Sequence, residues 1–185
     1  MTHTIGLFYG SSTSHTEYIA YELQEIINNL RDNSVDIYNI GQTKADQIKQ
    51  YDFLIFGIPT WDIGELQADW DVFWTTLEQI DFSDRKVAIF GLGDQYGYSD
   101  TFQDAMGILA EEVLARGAIL VGYTSIEGYE FEDSIALSID RDQFMGLSLD
   151  EDHQSDLTTE RLNRWAKQVL SEFGLLEEVP AFYEC

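Results

Sequence analysis

The sequence contains a single cysteine, two prolines and ten basic residues. The low counts of cysteine and of basic residues each exclude classes of protein. Cys185 alone cannot form an internal disulfide framework or a cysteine metal cluster, so a reducing, cytoplasmic location is predicted. No apolar run reaches the length of a membrane span, and the first residues contain neither a basic segment nor a long apolar one. We therefore expect a protein that is neither exported nor inserted in a membrane.

Basic residues are scarce relative to acidic ones. Ten Lys and Arg stand against 34 Asp and Glu, which gives a formal net charge of -24. Such a surface repels the phosphate backbone of nucleic acids and anionic lipid, so neither is expected as a partner. The same charge favours docking onto a basic protein surface. Solubility, or adaptation to a salt-rich cell interior, is the alternative explanation.

Apolar runs alternate with helical patterns along the chain. The 185 residues, 44% of them hydrophobic, are enough for one domain over 1–185 with a sizeable core. The apolar runs predicted to be strands are residues 4–10, 35–40, 52–60, 86–93 and 118–125. Segments with an apolar period of about 3.6 residues separate or follow them, and they begin near Ile19, Trp70, Phe102 and Leu162. A weaker helix is expected at 45–49.

This alternation predicts an α/β domain in which helices cover both faces of a parallel sheet. Residues 126–150 lack a clear period and contain glycine and aspartate between short apolar pairs. They are predicted to be an excursion that interrupts or follows the fifth strand.

The loop after the first predicted strand, GSSTSHTE at residues 10–17, has five hydroxyl side chains and no lysine or arginine. It lacks both the G-x-G-x-x-G dinucleotide fingerprint and the lysine of a nucleoside-triphosphate loop. It leads into a helix N-terminus, where backbone N–H groups and the helix dipole attract an anion. The loop therefore predicts a site for a terminal monophosphate. A plain helix cap, which needs only one or two hydroxyls, is the alternative.

Two further loops that follow buried strands contain aromatic residues between glycines or prolines. IPTWDIGELQADW, starting at Ile58, offers Trp61, and GLGDQYGYSDTFQDA, starting at Gly91, offers Tyr96 and Tyr98. Because the carboxyl ends of parallel strands meet at one sheet edge, these aromatics and the first loop are expected to lie together. They predict a planar ligand between rings, tethered by its phosphate, although each aromatic alone could belong to the core or the surface.

These loops, together with GYEFEDS at residues 128–134 and GLSLDEDHQSDLT at 146–158, resemble the long-chain flavodoxins, and the match covers residues 4–173. The GSST and GIPTWD forms are most similar to the second, B-type flavodoxins of bacteria. The resemblance implies a flavodoxin-like, doubly wound sandwich with strand order 2-1-3-4-5, a long-chain insertion in the fifth strand and a short extension at 174–185. It also implies FMN as a non-covalently bound cofactor.

The resemblance further implies a role for each loop. The first loop holds the FMN phosphate, Thr60 and Trp61 line one face of the isoalloxazine ring, and Tyr98 stacks on the other. The Asp62–Ile63 peptide resembles the one that turns its carbonyl toward the ring when the ring is reduced. The whole implied set of cofactor-binding residues is Ser11, Ser12, Thr13, Ser14, His15, Thr16, Pro59, Thr60, Trp61, Asp62, Ile63, Gly64, Leu92, Gly93, Asp94, Tyr98, Asp100, Thr101, Phe102, Gln103 and Asp152.

Asp94 and the segment 99–103 are expected to approach the pyrimidine edge of the flavin, and Asp152 the ribityl chain. Ser14 departs from the family pattern, which has glycine at this position of the phosphate loop, and His15 follows it. The departure puts the strength of FMN binding in question rather than the identity of the cofactor.

The predicted function is a low-potential one-electron carrier. Its expected partners are a basic flavoprotein reductase of the ferredoxin/flavodoxin–NADP type and acceptor redox enzymes, and it is expected to be a monomer. One carboxylate about 8 Å from the flavin, at an effective dielectric of about 20, would cost about 2 kcal/mol, or about 90 mV for one electron. Several such groups would make the potential low.

Neither a catalytic constellation nor a metal site is found in the sequence, so an enzyme is not predicted. His3, His15 and His153 have no nucleophile paired with them and are interpreted as surface residues. Two alternatives stay open. One is a flavodoxin-fold NAD(P)H:quinone or FMN reductase, and the other is a non-redox interaction module with weakened FMN binding.

Overall fold

The strands and helices follow the predicted alternation in a computed structural model that describes residues 4–32 and 34–176. The strands are β1 (Ile5–Tyr9), β2 (Val35–Asn39), β3 (Phe53–Trp61), β4 (Glu65–Leu66), β5 (Lys86–Leu92), β6 (Ile119–Val121), β7 (Thr124–Ser125), β8 (Gln143–Phe144) and β9 (Leu147–Leu149). The α-helices are α1 (His15–Leu30), α2 (Ala45–Ile48), α3 (Ala68–Leu77), α4 (Asp104–Ala115) and α5 (Thr158–Phe173). Short 3-10 turns lie at Ile40–Gln42 and Ser155–Leu157.

None of the helices in the described part of the chain is long and apolar enough to cross a membrane. His3, Cys185 and most of the extension predicted at 174–185 lie outside the described residues.

The central sheet is parallel, with the order β2-β1-β3-β5-β6, and β9 also pairs with β5. Ile5 pairs with Val35 on one side and with Phe53 on the other, and Phe53 pairs in turn with Lys86. This register brings the carboxyl ends of β1, β3 and β5 to one edge of the sheet. The predicted order 2-1-3-4-5 numbers only the five main strands, so its fourth strand is β5 and its fifth is β6 together with β9. That order and the doubly wound α/β class are confirmed.

Residues 122–146 divide the fifth strand into β6 and β9. β6 pairs with residues 86–88 of β5, and β9 pairs with residues 90–92, so both pieces extend the same edge. The prediction of an excursion that interrupts this strand is confirmed, but its predicted limits are wrong. Gly122, with a φ of 83°, turns the chain out of the sheet early because glycine adopts this conformation without a steric penalty. The buried triplet Leu147–Leu149 belongs to the strand.

Helices cover both faces of the sheet and bury two apolar cores. α1 and α5 bury Ile19 and Trp165 on one face, and α3 and α4 bury Trp70 and Leu109 on the other. Because a large apolar side chain contributes roughly 1.5–3 kcal/mol when it is fully buried, these two cores supply most of the stability that fixes the sheet edge in place.

Three residues depart from the predicted helical faces. Leu30 is the last residue of α1 and Leu114 is next to the last of α4, and they are 40% and 39% exposed. Phe102 is buried, but it lies in the loop before α4 rather than in the helix. The helix starts later than predicted because Gln103 holds a left-handed conformation, with a φ of 61°, immediately before it.

Candidate functional site

An open cleft of about 310 Å³ lies where β1, β3 and β5 end at one edge of the sheet. The residues that line it are Thr13, His15, Thr16, Pro59, Thr60, Trp61, Asp62, Leu92, Gly93, Asp94, Tyr98, Thr101, Phe102, Gln103, Glu151 and Asp152. All of them except Glu151 belong to the set predicted from the sequence. The predicted residues that do not line the cleft, although they lie in the same loops, are Ser11, Ser12, Ser14, Ile63, Gly64 and Asp100.

The loop after β1 enters α1 through a left-handed residue. Ser14 has a φ of 69° and makes no side-chain hydrogen bond to the helix, so its hydroxyl does not satisfy the N–H groups of the first turn. Those groups can therefore receive an anion. Ser11 Oγ is buried and has no hydrogen-bond partner among the described residues, and Ser12 Oγ accepts a bond of 3.2 Å from Gln67 Nε2. Gln67 also caps α3 through its Oε1, so it fixes the loop to that helix.

The second loop is a tight hairpin between β3 and β4. Trp61 pairs with Glu65 across it, and Asp62 and Gly64 have positive φ values of 43° and 79°. The left-handed conformation that glycine permits is thus used at Gly64. Ile63, at the tip, is 75% exposed, and the indole Nε1 of Trp61 is buried without a partner. The turn presents an aromatic side chain to the cleft and a solvent-facing peptide beside it.

Thr60 connects the second loop to α4. Its Oγ1 accepts a hydrogen bond of 3.1 Å from the N–H of Ala105, in the first turn of that helix. Gln103 occupies the N-cap position of α4, but its side chain makes no hydrogen bond to the helix. Thr60 therefore satisfies a helix N–H that the local sequence leaves unpaired, in addition to lining the cleft.

Asp94 organises the third loop. Its Oδ1 accepts hydrogen bonds from the N–H groups of Tyr96 at 3.0 Å and Gly97 at 2.7 Å, and it lies 3.0 Å from Nε2 of His153. Burial raises the pKa of Asp94, but the hydrogen bonds from Gly97, Tyr96 and His153 outweigh it and hold the pKa below its ordinary value. Tyr98, which is 45% exposed, stands on the same loop at the rim of the cleft.

A buried carboxylate that the sequence analysis missed supports this loop from beneath. Asp150 is fully buried, and its side chain accepts hydrogen bonds from both the N–H and the Nε2 of Gln95, at 3.2 and 2.8 Å. It also accepts the N–H groups of Asp152 and His153, each at 3.0 Å. The Asp-x-Asp-His spacing is a signal for such a turn, but Gln95 is 55 residues away.

His153 is more than the surface residue that the sequence predicts. It joins the segment after β9 to Asp94, and its ring lies edge-on to Tyr96 with centroids 4.7 Å apart. The possible metal-ligand atoms of Asp94, Asp150 and His153 lie within 4.8 Å of one another. Because hydrogen bonds within the loops already use these atoms, we infer no metal site from them.

Gln103 fastens the end of the third loop to the fifth strand. Its buried Nε2 lies within hydrogen-bond distance of the carbonyl oxygens of Gly91 and Leu149 and of Ser148 Oγ, at 3.2, 3.1 and 2.9 Å. Its Oε1 is buried without a partner, as is Oγ1 of Thr101. Unpaired buried polar atoms are costly, and their presence beside the cleft suits a ligand that carries complementary polar groups.

The charge around the cleft is negative. Among the residues that the structure describes, four carboxylates line it, those of Asp62, Asp94, Glu151 and Asp152, and neither a lysine nor an arginine does. A phosphate at the first loop would therefore be held by backbone N–H groups and hydroxyls rather than by a counter-cation.

Ligands of doubly wound sheets bind beyond the carboxyl ends of the strands, which is where this cleft lies. Its hydroxyl-rich loop suits a phosphate, and the aromatic side chains of Trp61 and Tyr98 suit a flat ring. Fold and cleft together define an α/β protein built to bind a nucleotide-like ligand at its sheet edge.

The chain belongs to the flavodoxin family, whose sequence pattern matches residues 7–165. It is 47% identical over 175 residues to a flavodoxin of Nostoc sp., covering 95% of this chain and 100% of that protein. It is 49% identical over 173 residues to a flavodoxin of Haemophilus influenzae, covering 94% and 97%. The structure of Fusobacterium nucleatum flavodoxin bound to flavin mononucleotide is similar with a TM-score of 0.85 at 31% identity, covering 91% of this chain and 98% of that one.

The resemblance to the long-chain flavodoxins is thereby confirmed. The narrower assignment to the B-type flavodoxins stays a prediction, because relatives of several kinds match over nearly the whole chain.

Proposed function

We propose that this chain binds FMN in the cleft and carries single electrons at low potential between other redox proteins. The observation that supports the cofactor most directly is the group of buried polar atoms without partners beside the cleft, Ser11 Oγ, Trp61 Nε1, Thr101 Oγ1 and Gln103 Oε1. Each such atom costs about 1–3 kcal/mol when nothing pairs with it. The F. nucleatum flavodoxin, similar over most of this chain, is bound to the same nucleotide.

The FMN phosphate belongs in the loop at residues 11–16. Thr13, His15 and Thr16 line the cleft there, and the N-terminus of a 16-residue helix points its first N–H groups at the same place. The hydroxyls add further donors, and the helix dipole favours the negative charge. A dianionic phosphate is thereby held at its ester end, which orients the rest of the nucleotide along the cleft.

The isoalloxazine ring belongs between Trp61 and Tyr98, which line the cleft from the second and third loops. Thr60 stiffens the loop that carries Trp61 by its bond to α4. Asp94 stiffens the loop that carries Tyr98 by its bonds to the N–H groups of Tyr96 and Gly97. The two aromatic side chains are thus carried by loops with fixed backbones. They limit the access of water to the ring and hold it in one plane.

Bound FMN supplies the electron-transfer chemistry, and the chain sets how readily it takes up charge. The carboxylates of Asp62, Asp94, Glu151 and Asp152 line the cleft, and no lysine or arginine in the described part of the chain lines it with them. Negative charge near the ring opposes the addition of electrons, which lowers the reduction potential. A carrier needs such a low reduction potential to donate electrons to acceptors that are themselves difficult to reduce.

The net charge of -24 supports a basic flavoprotein reductase of the ferredoxin/flavodoxin–NADP type as electron donor, with other redox enzymes as acceptors. We propose that the exchange takes place in the cytoplasm and that the carrier acts as a monomer. Flavodoxins are electron-transfer proteins and not enzymes, which favours the carrier over the flavodoxin-fold reductase.

The test begins with the absorption spectrum of the purified protein and continues with an anaerobic reductive titration against dyes of known potential. We expect bound flavin in a one-to-one ratio and two separate one-electron steps, the second below the potential of free FMN. A protein that neither contains nor takes up FMN would overturn the assignment of the cleft. A single two-electron step would leave FMN in place and overturn the one-electron carrier.

A separate assay distinguishes the enzyme alternative. The purified protein is mixed with NADPH and a quinone, with and without a flavodoxin reductase. We expect NADPH oxidation only when the reductase is present. Turnover by the protein alone would favour the NAD(P)H:quinone reductase.

A further inference from the structure

A second cleft, of about 250 Å³, lies between the insertion and α5. Residues 123–129 of the insertion form one wall, and residues 161–168 in the first part of the helix contribute the other. It shares no lining residue with the cleft proposed for FMN. Nothing in the electron-carrier function uses this space.

Arg161 is the charged group that distinguishes this second cleft. Its Cζ lies 4.3 Å from the centre of the Tyr129 ring, and its Nη1 is out of contact with solvent and has no hydrogen-bond partner. Within residues 4–32 and 34–176, no carboxylate oxygen lies within 4.0 Å of it. The neighbouring Arg164 also lines the cleft, but it pairs with Glu160 at 2.5 Å.

Arg31 and Arg85 share two of these features, because each has one buried guanidinium nitrogen without a partner and no carboxylate within 4.0 Å among the described residues. Arg161 in addition stacks on an aromatic ring and lines a cleft. Taking a cation partly out of water is costly unless an anion or a full set of acceptors replaces the water. Stacking on Tyr129 offsets part of that cost. Nη1 still has no hydrogen-bond acceptor among the described residues.

Most other polar groups of the cleft are occupied within the protein. The hydroxyl of Thr124, the amide of Gln168 and the indole N–H of Trp165 each donate a hydrogen bond to a backbone carbonyl. Ser125 Oγ accepts a backbone N–H at 3.1 Å, so its own hydroxyl hydrogen remains free to donate. The donors left for a ligand are therefore the guanidinium of Arg161, the hydroxyls of Ser125 and Tyr123, and the nitrogens of Arg164 that Glu160 does not engage.

We propose that this second cleft binds a small organic monocarboxylate with a flat apolar body. The carboxylate binds Arg161 and Ser125, and the body packs against the aromatic walls formed by Tyr123 and Trp165. A guanidinium and a carboxylate match in geometry, since both are planar and can form two parallel hydrogen bonds. Glu127, which also lines the cleft, and the negative charge of the whole molecule disfavour a dianion such as phosphate.

The experiment uses the FMN-loaded protein labelled with ¹⁵N and follows the indole N–H signal of Trp165, which Trp165→Phe identifies by its loss. Sodium benzoate is the probe, benzamide is its neutral isostere, and sodium chloride at equal ionic strength is the reference. We expect a saturable shift with benzoate in the millimolar range and none with benzamide. Arg161→Gln is expected to weaken binding at least tenfold, and Arg161→Lys to weaken it less.

Arg116→Gln is the matched control, because Arg116 forms its own pair with Glu112 at 2.7 Å on α4 and should leave benzoate binding unchanged. Bound FMN and a dispersed backbone spectrum show whether each variant is folded. Equal binding of benzamide, unchanged binding in Arg161→Gln, the same shift with chloride alone, or no shift at all would each overturn the proposal.

Discussion

Ser14 has a backbone conformation in which any side chain is destabilising. Its φ of 69° lies in the left-handed region, which costs a residue other than glycine about 1 kcal/mol or more. The flavodoxin pattern has glycine at this point of the phosphate loop, and the structure gives the physical reason: the chain must turn left-handed there to enter α1. The loop keeps this shape in spite of the substitution because Gln67 and the start of the helix fix it on both sides.

Replacing Ser14 with glycine is therefore expected to raise the free energy of unfolding of the FMN-free protein by about 1 kcal/mol. Urea denaturation followed by circular dichroism measures this change. Ser12→Gly is the contrasting variant: Ser12 does not have a positive φ and accepts a hydrogen bond from Gln67, so the same replacement relieves no strain and should lower the stability. A Ser14→Gly protein no more stable than the parent would show that the loop stores no strain at this residue.

Tyr98 and Tyr96 lie two residues apart on one loop, yet only Tyr98 lines the cleft. Tyr98→Ala is expected to weaken FMN binding roughly tenfold or more, because stacking on an aromatic ring contributes about 1 to 3 kcal/mol. It should also restore part of the FMN fluorescence that stacking quenches. Tyr96→Ala, the control, should change neither affinity nor fluorescence by a comparable amount. Both quantities come from one fluorimetric titration, and equal effects of the two variants would contradict the assignment of Tyr98.

At the scale of elements, the hairpin between β3 and β4 places two positive φ values on either side of Ile63. Its exposed tip leaves the Asp62–Ile63 peptide free of packing. The family resemblance gives this peptide a role in favouring one redox state of the cofactor over the others. A hydrogen bond present only in the one-electron-reduced state contributes about 1 kcal/mol. It makes the first reduction step easier and the second harder by that amount, so the gap between them changes by about twice as much.

Ile63→Pro should reduce that separation, since proline removes the peptide N–H and disfavours the left-handed conformation of Asp62 before it. The expected result is a smaller gap between the first and second reduction potentials, with FMN still bound. Ile63→Ala keeps the N–H and should retain the parent gap. A proline variant with the parent's gap in an anaerobic titration would show that this turn does not control the redox steps.

The third loop is held by a carboxylate whose charge matters. The pKa of Asp94 lies below its ordinary value of 3.8, because the hydrogen bonds it accepts outweigh the effect of burial. A lowered pKa means that the carboxylate adds stability above the pKa of the unfolded chain and loses it as the pH falls through the folded value. Compared with Asp94→Asn, the parent should be more stable at neutral pH, and the difference should shrink below pH 3.8. Denaturation curves of both proteins across this range measure it, and a difference that does not change with pH would contradict the prediction.

At the scale of the whole molecule, the charge of -24 controls how partners approach. Opposite charge on a reductase steers the encounter, and salt screens it, since the Debye length is about 8 Å at physiological ionic strength. The association rate with a basic reductase should fall severalfold or more between low and physiological salt. Stopped-flow mixing measures this rate, with a viscosity series to show that association limits it. A rate independent of salt and below the diffusion limit would contradict steering.

Much of the fold could be predicted from local sequence because its signals are local. β1, β3 and β5 are apolar runs, and each is followed directly in the sequence by a glycine-containing loop. The sheet brings these three loops to one edge. The limits of the fifth strand could not be predicted, because the three residues Leu-Ser-Leu are too few to define a helix or strand period. Leu147–Leu149 becomes a strand only by pairing with the far half of β5.

The sequence by itself determined the α/β alternation, the phosphate-type loop and the aromatic residues of the cleft, since each depends on residues within a few positions of one another. Only the tertiary structure decided which polar groups support the site: Asp150 bonds to Gln95 across 55 residues, and His153 to Asp94 across 59. It also decided that Arg161 stacks on Tyr129 without a carboxylate partner among the described residues. The physical reason is that a hydrogen bond or a cation–aromatic contact has a range of a few ångströms, and folding alone brings residues so far apart in the chain within that range.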